Sequence, residues 1–336
     1  MKKAILIYLT FLLVFLSCEK AFIKLDEINT PTNNFNLLWT EINEKYSLFD
    51  IKQICWDDIY TKYYPMINNN MHDTSLFNVM DKMLYELQDG HVNLSSYFNV
   101  SRNWDWKLNS PPNFNWDIIE RNYLKKDYKI TGAFRNREID SVGYIYYSSF
   151  SNTVTNSHLS FIFNEFRNSK GLIIDIRNNG GGSLSNAKRI ASRFTGDKLL
   201  VGYERVKNGP ERNDFTAAVP IYIKPSEDLS IFKKPVVILA NRGSYSASTF
   251  FVLYMKDIPN VTIIGDTTGG GGGLPISNEL LNGWTYRFSS TSTTDINGYN
   301  IEKGIVPDIN IQISETDTQN GIDTILEEAI KYIKSK

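Results

Sequence analysis

The chain has 336 residues, 42% hydrophobic and 22% charged, the composition of a globular protein long enough for two lobes. With 36 basic against 37 acidic residues the formal net charge is −1, so no global field draws it to nucleic acid or to an anionic surface. Two cysteines and three histidines at unrelated spacings exclude a disulfide framework and a Cys/His metal site, and no cofactor is called for.

In chain order, Met1-Lys2-Lys3 is basic, residues 4–16 are apolar, and Ser17-Cys18 precedes the first acidic residue, Glu19. This is the layout of a signal peptide over residues 1–18, too short in its apolar run for a spanning helix. Phe15-Leu16-Ser17-Cys18 looks like a lipobox, with Phe15 where an aliphatic residue is usual. Cys18 is then the lipid-attachment residue, and the expectation is an exported lipoprotein of the cell envelope, held to the membrane through its N-terminal lipid. A plain secretory signal or a buried N-terminal helix are the alternatives. Cys55 has no partner and sits in the apolar Ile54-Cys55-Trp56, which predicts a buried, inert thiol.

Residues 19–33 are polar and turn-rich, a tether. Over 34–94 the periodicity predicts a helical lobe. Phe35, Leu38, Ile42 and Tyr46 recur at helical spacing, as do Leu76, Met80, Met83 and Leu87, with Asp73 or Thr74 as N-cap. Residues 95–140 form an aromatic-rich insert with Trp104, Trp106, Phe114 and Trp116, expected as short strands and loops that border a groove or pack as a flap. From 141 to 336 apolar strands alternate with helices. Strands are predicted at 142–147, 171–176, 199–203, 235–240, 261–265 and 284–288. Helices are predicted around 159–166, 187–194, 246–255 and 323–333. That alternation argues for an α/β core with a sheet covered on both faces.

Four stretches could carry chemistry: Asp89-Gly90-His91; Asp175-Ile176-Arg177-Asn178-Asn179-Gly180-Gly181-Gly182; Ser244-Tyr245-Ser246-Ala247-Ser248; and Glu302-Lys303-Gly304-Ile305-Val306-Pro307-Asp308. Each has a plain structural reading. Ser246 suits a helix N-cap. The glycine run suits a turn or an anion cradle, though it matches neither phosphate-loop spacing. His91 could be a structural histidine, Glu302 a solvated charge, and Asp175 and Arg177 an ion pair.

Taken together and in this order, the stretches resemble the peptidase family that contains C-terminal processing proteases, the tricorn core and retinoid-binding repeat proteins. The resemblance covers the chain from about Phe35 onward except 95–140. It implies a ClpP/crotonase-like spiral core behind a small N-terminal helical lobe. One branch of that family pairs its serine with a lysine, but here Gly271 occupies the lysine place. The other branch, similar to the tricorn core, uses a histidine and a glutamate, and His91 and Glu302 fall at those places. Glu302 lies one residue closer to Pro307 than that pattern.

The resemblance thus implies a serine peptidase with Ser246 as nucleophile, His91 as base and Glu302 as the acid that orients it. The backbone N–H of Ala247 and that of Gly181 or Gly182 would form the oxyanion hole. The other histidines, His72 and His158, read as exposed loop and helix surface. The implied partner is a peptide or unfolded protein. Only about 47 residues separate Leu94 from Val142, without a carboxylate-binding loop, so no PDZ domain is expected. A non-catalytic ligand- or peptide-binding module and an acyl-CoA enzyme remain as alternatives on the same core.

Overall fold

A computed structural model describes residues 28–105, 109–226 and 231–336 of the chain. The signal stretch with Cys18, most of the tether, and Trp106 lie outside the described residues. No helix among the described residues is long and apolar enough to cross a membrane.

The N-terminal helices are α1 (Pro31–Lys45), α2 (Trp56–Tyr63) and α3 (Asp73–Tyr85). The first begins with Pro31 in its first turn and Thr30 as N-cap, whose side chain accepts from Asn33 N–H at 3.2 Å. The third is capped differently from expectation. Its N-cap is His72, with no side-chain hydrogen bond, and Asp73 is the first helical residue, where a carboxylate meets the positive end of the helix.

Phe35, Leu38, Ile42, Leu76, Phe77, Met80 and Met83 turn one apolar stripe inward from these helices. Trp56 fills the space beside them, and the preceding Cys55 is left exposed at the N-cap of α2, not buried as its apolar neighbours suggested. The lobe does not close on its own helices. Leu280, Trp284, Tyr286 and Phe288, some 200 residues downstream, complete its core. They come from the hairpin of β10 (Pro275–Glu279) and β11 (Thr285–Ser289), and β11 pairs antiparallel with β1 (Asn93–Ser95).

The larger body is built on a seven-stranded sheet in the order β13-β9-β8-β5-β4-β3-β2. Its strands are β2 (Lys129–Thr131), β3 (Phe134–Ile139), β4 (Val142–Tyr147), β5 (Leu172–Asp175), β8 (Val236–Ala240), β9 (Val261–Gly265) and β13 (Ile309–Asn310). From β4 to β13 the neighbours are parallel, and β2 and β3 add antiparallel at one edge. The end of the aromatic insert is therefore part of the main sheet.

Burial of both faces explains why β4, β5 and β8 read as near-continuous apolar runs. Ile145, Tyr147, Leu172, Ile174, Val236 and Ile238 face one core, under α4 (Asn156–Glu165), α5 (Leu184–Ala191) and α6 (Ala247–Met255). Tyr144, Tyr146, Ile173, Val237 and Leu239 face the other, under α7 (Thr324–Lys334). Every residue of α6 is buried, so this helix lies inside the body and not upon it. A three-stranded sheet of β12 (Thr291–Asp295), β6 (Leu199–Val206) and β7 (Val219–Ile223) flanks this core.

Two loops at the C-terminal ends of the adjacent parallel strands β5 and β8 define the functional end of the sheet, where open α/β sheets bind ligands. Beneath them Arg177 is fully buried between Asp175, at 2.6 Å, and Asp323, at 2.9 Å, with Phe114 against the guanidinium plane. The Asp175–Arg177 pair is structural, as its plain reading held. Phe114 and Trp116 pack on Tyr146 with ring centroids at 5.5 and 4.8 Å, so this part of the insert serves the core.

Candidate active site

The loop after β8 turns sharply into α6, and Ser246 sits at the turn. Its backbone has φ 57° and ψ −121°, a conformation that L-residues avoid, and its side chain caps nothing. The N-cap role that serine usually plays is absent. The strained turn instead lifts the hydroxyl away from the helix, as in a nucleophile elbow. The neighbouring loop after β5 is tied to it at several points. Tyr245 N–H donates to the Asn179 carbonyl at 3.1 Å, Ser248 Oγ donates to the same carbonyl at 2.7 Å, and Ser244 Oγ donates to the Ile176 carbonyl at 2.8 Å.

His91 arrives from the helical lobe, just before β1. Its Nε2 lies 3.0 Å from Ser246 Oγ, across 155 positions of sequence. The ring packs against Tyr245, with centroids 4.9 Å apart. Nδ1 is buried and makes no hydrogen bond of good geometry, although the Gly273 carbonyl is near enough to favour the charged ring. Burial holds the imidazole below its ordinary pKa. The Asp89 charge works against that, while those of Arg287 and Lys52 add to it.

Asp89 is the acid that the sequence reading left without a role. Its carboxylate is 1% exposed and accepts from Ser289 Oγ at 2.8 Å, Tyr46 Oη at 3.2 Å, Tyr245 Oη at 3.3 Å and the His91 N–H at 2.8 Å. Burial pushes this carboxyl up, but the charges of His91 and Lys52 and the donated hydrogen bonds outweigh it, and it is held below the usual range. Asp89 thus stays ionised beside His91.

Glu302 does not touch His91. One carboxylate oxygen pairs with Lys52 Nζ at 2.9 Å and the other accepts from Gly272 N–H at 2.9 Å. Burial and then the Asp89 charge raise it to about 6, against the pull of Lys52. The site brings Ser246 and His91 together and sets Glu302 one layer behind.

The glycines are packed, not loose. Residues 269–273 are all buried. A Cβ at Gly271 would lie 2.6 Å from the Tyr245 ring and 2.9 Å from Ser246 N, at φ +74°. Any side chain in the lysine place is therefore blocked by Tyr245. A Cβ at Gly181 would lie 2.8 Å from Ser246 Cβ and 2.9 Å from Ala247 N, directly in front of the first amide of α6.

Among the described residues the Ala247 N–H has no acceptor, and the positive end of a nine-residue helix stands behind it. Gly181 N–H, by contrast, already donates to Asn179 Oδ1 at 3.0 Å, whereas those of Gly180 and Gly182 have no acceptor among the described residues. Of the two glycines expected to serve the oxyanion, Gly182 is the one with an uncommitted amide.

His91, Tyr245, Ser246 and the glycines 180–182 line a cleft of about 590 Å³ together with Trp104, Ser149, Ser151 and Arg287. Trp104 is 57% exposed there, so the insert divides its aromatics between cleft and core. Tyr245, Asp89 and Lys52 were missed as site residues. The only local signals were an acid two before His91 and a tyrosine next to Ser246. His158 is also no plain surface residue, since it forms a capping box with Thr155 at the start of α4. No group of acids, histidines and cysteines among the described residues could hold a metal ion.

The chain is 26% identical over 195 residues to a carboxy-terminal processing protease of Bacillus subtilis, covering 57% of this chain and 40% of that one. It is 29% identical over 214 residues to a CtpA-like serine protease of Staphylococcus epidermidis, covering 61% and 42%. The chain thus spans about two-fifths of these curated relatives. A solved chain from Parabacteroides merdae, assigned provisionally as a peptidase, is 44% identical with a TM-score of 0.86, over 91% of this chain and 97% of that one.

A lipoprotein structure from Streptococcus agalactiae, 18% identical with a TM-score of 0.57 over 94% and 99% of the two chains, shares the fold alone. The architecture is the ClpP/crotonase-like α/β core with a small N-terminal helical lobe. The tricorn protease C1 domain matches residues 29–85, and peptidase family S41 matches residues 141–311, half of the chain. The chain belongs to peptidase family S41.

Proposed function

We propose that this chain is a serine-type peptidase that cleaves peptides or unfolded proteins through an acyl-enzyme on Ser246. The observation that carries this reading is the 3.0 Å approach of His91 Nε2 to Ser246 Oγ, at the mouth of a helix and open to a cleft. A serine hydroxyl is a weak nucleophile until a neighbouring base takes its proton. A buried imidazole held below its ordinary pKa is neutral at pH 7 and able to do so.

As Ser246 Oγ bonds to the substrate carbonyl carbon, the proton passes to His91 Nε2. The carbonyl oxygen gains the negative charge, which the N–H of Ala247 and of Gly182 receive. Collapse breaks the C–N bond, and His91 returns the proton to the leaving amine. Water then repeats the sequence on the ester and releases the acid. Asp89, ionised but not bonded to Nδ1, stabilises the imidazolium through its charge, and Glu302 acts behind it by fixing Lys52. Losing one oxyanion donor costs about 3–4 kcal/mol of barrier.

Export and anchoring through lipid on Cys18 belong to the same proposal, supported by the order of basic, apolar and Ser-Cys residues at the start of the chain. Radiolabelled palmitate incorporated by the wild type and not by Cys18→Ser is the expected result.

The test of the activity is covalent labelling by a fluorophosphonate together with digestion of an unfolded polypeptide. Wild type is expected to label and digest, and Ser246→Ala to do neither. Labelling that persists in Ser246→Ala would remove the reading. A non-catalytic binding module on this fold predicts digestion by neither protein.

A further inference from the structure

Among the described residues, Arg287 is the one permanently charged side chain lining the catalytic cleft, and none of them lines it with a carboxylate. Strand alternation sets its direction. Tyr286 and Phe288 on either side are buried in the core of the helical lobe, so Arg287 faces the opposite way and is exposed. Its cross-strand partners, Asn93 on β1 and Ser277 on β10, are neutral. Among the described residues the Arg287 side chain makes no ion pair and no hydrogen bond, whereas the buried Arg177 has two carboxylates. Arg287 lines the same cleft as His91, Tyr245 and Ser246, and its charge acts on both rings. A planar, five-donor cation left open next to a nucleophile is suited to a planar two-oxygen anion.

We propose that Arg287 forms a subsite that captures a carboxylate of the bound peptide. In an unmodified peptide that group is either the free C-terminus or an Asp or Glu side chain. The proposal rests on the peptidase reading for the ligand being a peptide. It does not rest on turnover.

The experiment therefore measures binding in Ser246→Ala protein, by calorimetry at low salt. The probes are three acetylated hexapeptides of alanine and leucine: a free acid, its C-terminal amide, and an amide carrying one Glu. The expected result is that at least one carboxylate peptide binds about tenfold more tightly than the neutral amide. The preference should fall as salt rises, and it should vanish in Ser246→Ala/Arg287→Gln. Arg287→Lys should keep part of it, since a point charge remains without the bidentate geometry. Whether the free acid or the Glu amide gains identifies the source of the carboxylate.

Equal binding of all three peptides, absence of binding included, or a preference that survives Arg287→Gln, overturns the proposal. Fluorophosphonate labelling of the protein that retains Ser246 separates the two readings. A labelled serine with no carboxylate preference removes this inference alone, and a preference without labelling removes the peptidase alone.

Discussion

At Ser246 the backbone conformation and the chemistry make opposite demands. The residue holds φ 57° and ψ −121°, which only glycine adopts without strain, yet a hydroxyl is needed there. Ser246→Gly should therefore be more stable than Ser246→Ala by about 1 kcal/mol, with neither able to label. Thermal unfolding of the two variants gives that difference directly.

The second tension is electrostatic. Lys52 pairs with Glu302 and disfavours the charged form of His91. In Lys52→Met the imidazole should hold its proton more firmly, so the acid limb of kcat/KM moves to higher pH. Glu302 is raised from 4.5 to about 6, so the native state binds its proton more tightly than the unfolded chain. That contribution to stability is full below pH 4.5 and is lost as pH rises through about 6. Melting temperatures of the wild type should fall across this window, and those of Glu302→Gln should fall less.

His91 and Ser246 were legible because each sits in a local motif. The roles of Asp89 and Lys52 were not, because both depend on Tyr46, Ser289 and Glu302 arriving from remote parts of the chain.

Between elements, close approach is what shapes the site. Tyr245 and Gly271 occupy one space, and the tyrosine ring excludes a side chain from residue 271. Gly271→Ala combines a positive φ with an overpacked contact, and should cost about 2–4 kcal/mol of stability and slow labelling of Ser246. Adding Tyr245→Ala should recover the part due to crowding by the ring and leave the part due to the positive φ and to the Ser246 backbone contact. The double-mutant cycle in urea then separates the two.

The same distinction governs what the sequence made readable. Strands β4, β5 and β8 are buried on both faces and show as near-continuous apolar runs. Strand β3, Phe-Arg-Asn-Arg-Glu-Ile, second from the edge of the sheet, carries charges, and its sequence alone predicts no more than one of the short strands or loops of the insert. Its place in the sheet comes from pairing with β4 and not from its own pattern.

On the scale of the whole molecule, the nucleophile and the base belong to different bodies, and their meeting depends on how those bodies are joined. The hairpin β10–β11 is the join. It leaves the larger body after α6 and β9, yet its apolar face closes the core of the helical lobe, and β11 pairs with the strand that follows His91. Such a contact between residues 200 positions apart has no signature in the hairpin itself, whose alternation specifies a strand but not the core that it serves.

Trp284 is the central contact, 3% exposed and edge-on to Phe77 at 5.6 Å and Phe98 at 5.8 Å. Trp284→Ala should cost about 3–5 kcal/mol. Because the lost packing lies in the lobe that carries His91 and not around Ser246, the labelling rate should decline at temperatures where circular dichroism still reports an intact sheet. Wild type should lose both signals in one transition. Coincident loss in the variant as well would mean that the lobes unfold as a single unit and that the hairpin does not hold the base independently of the core.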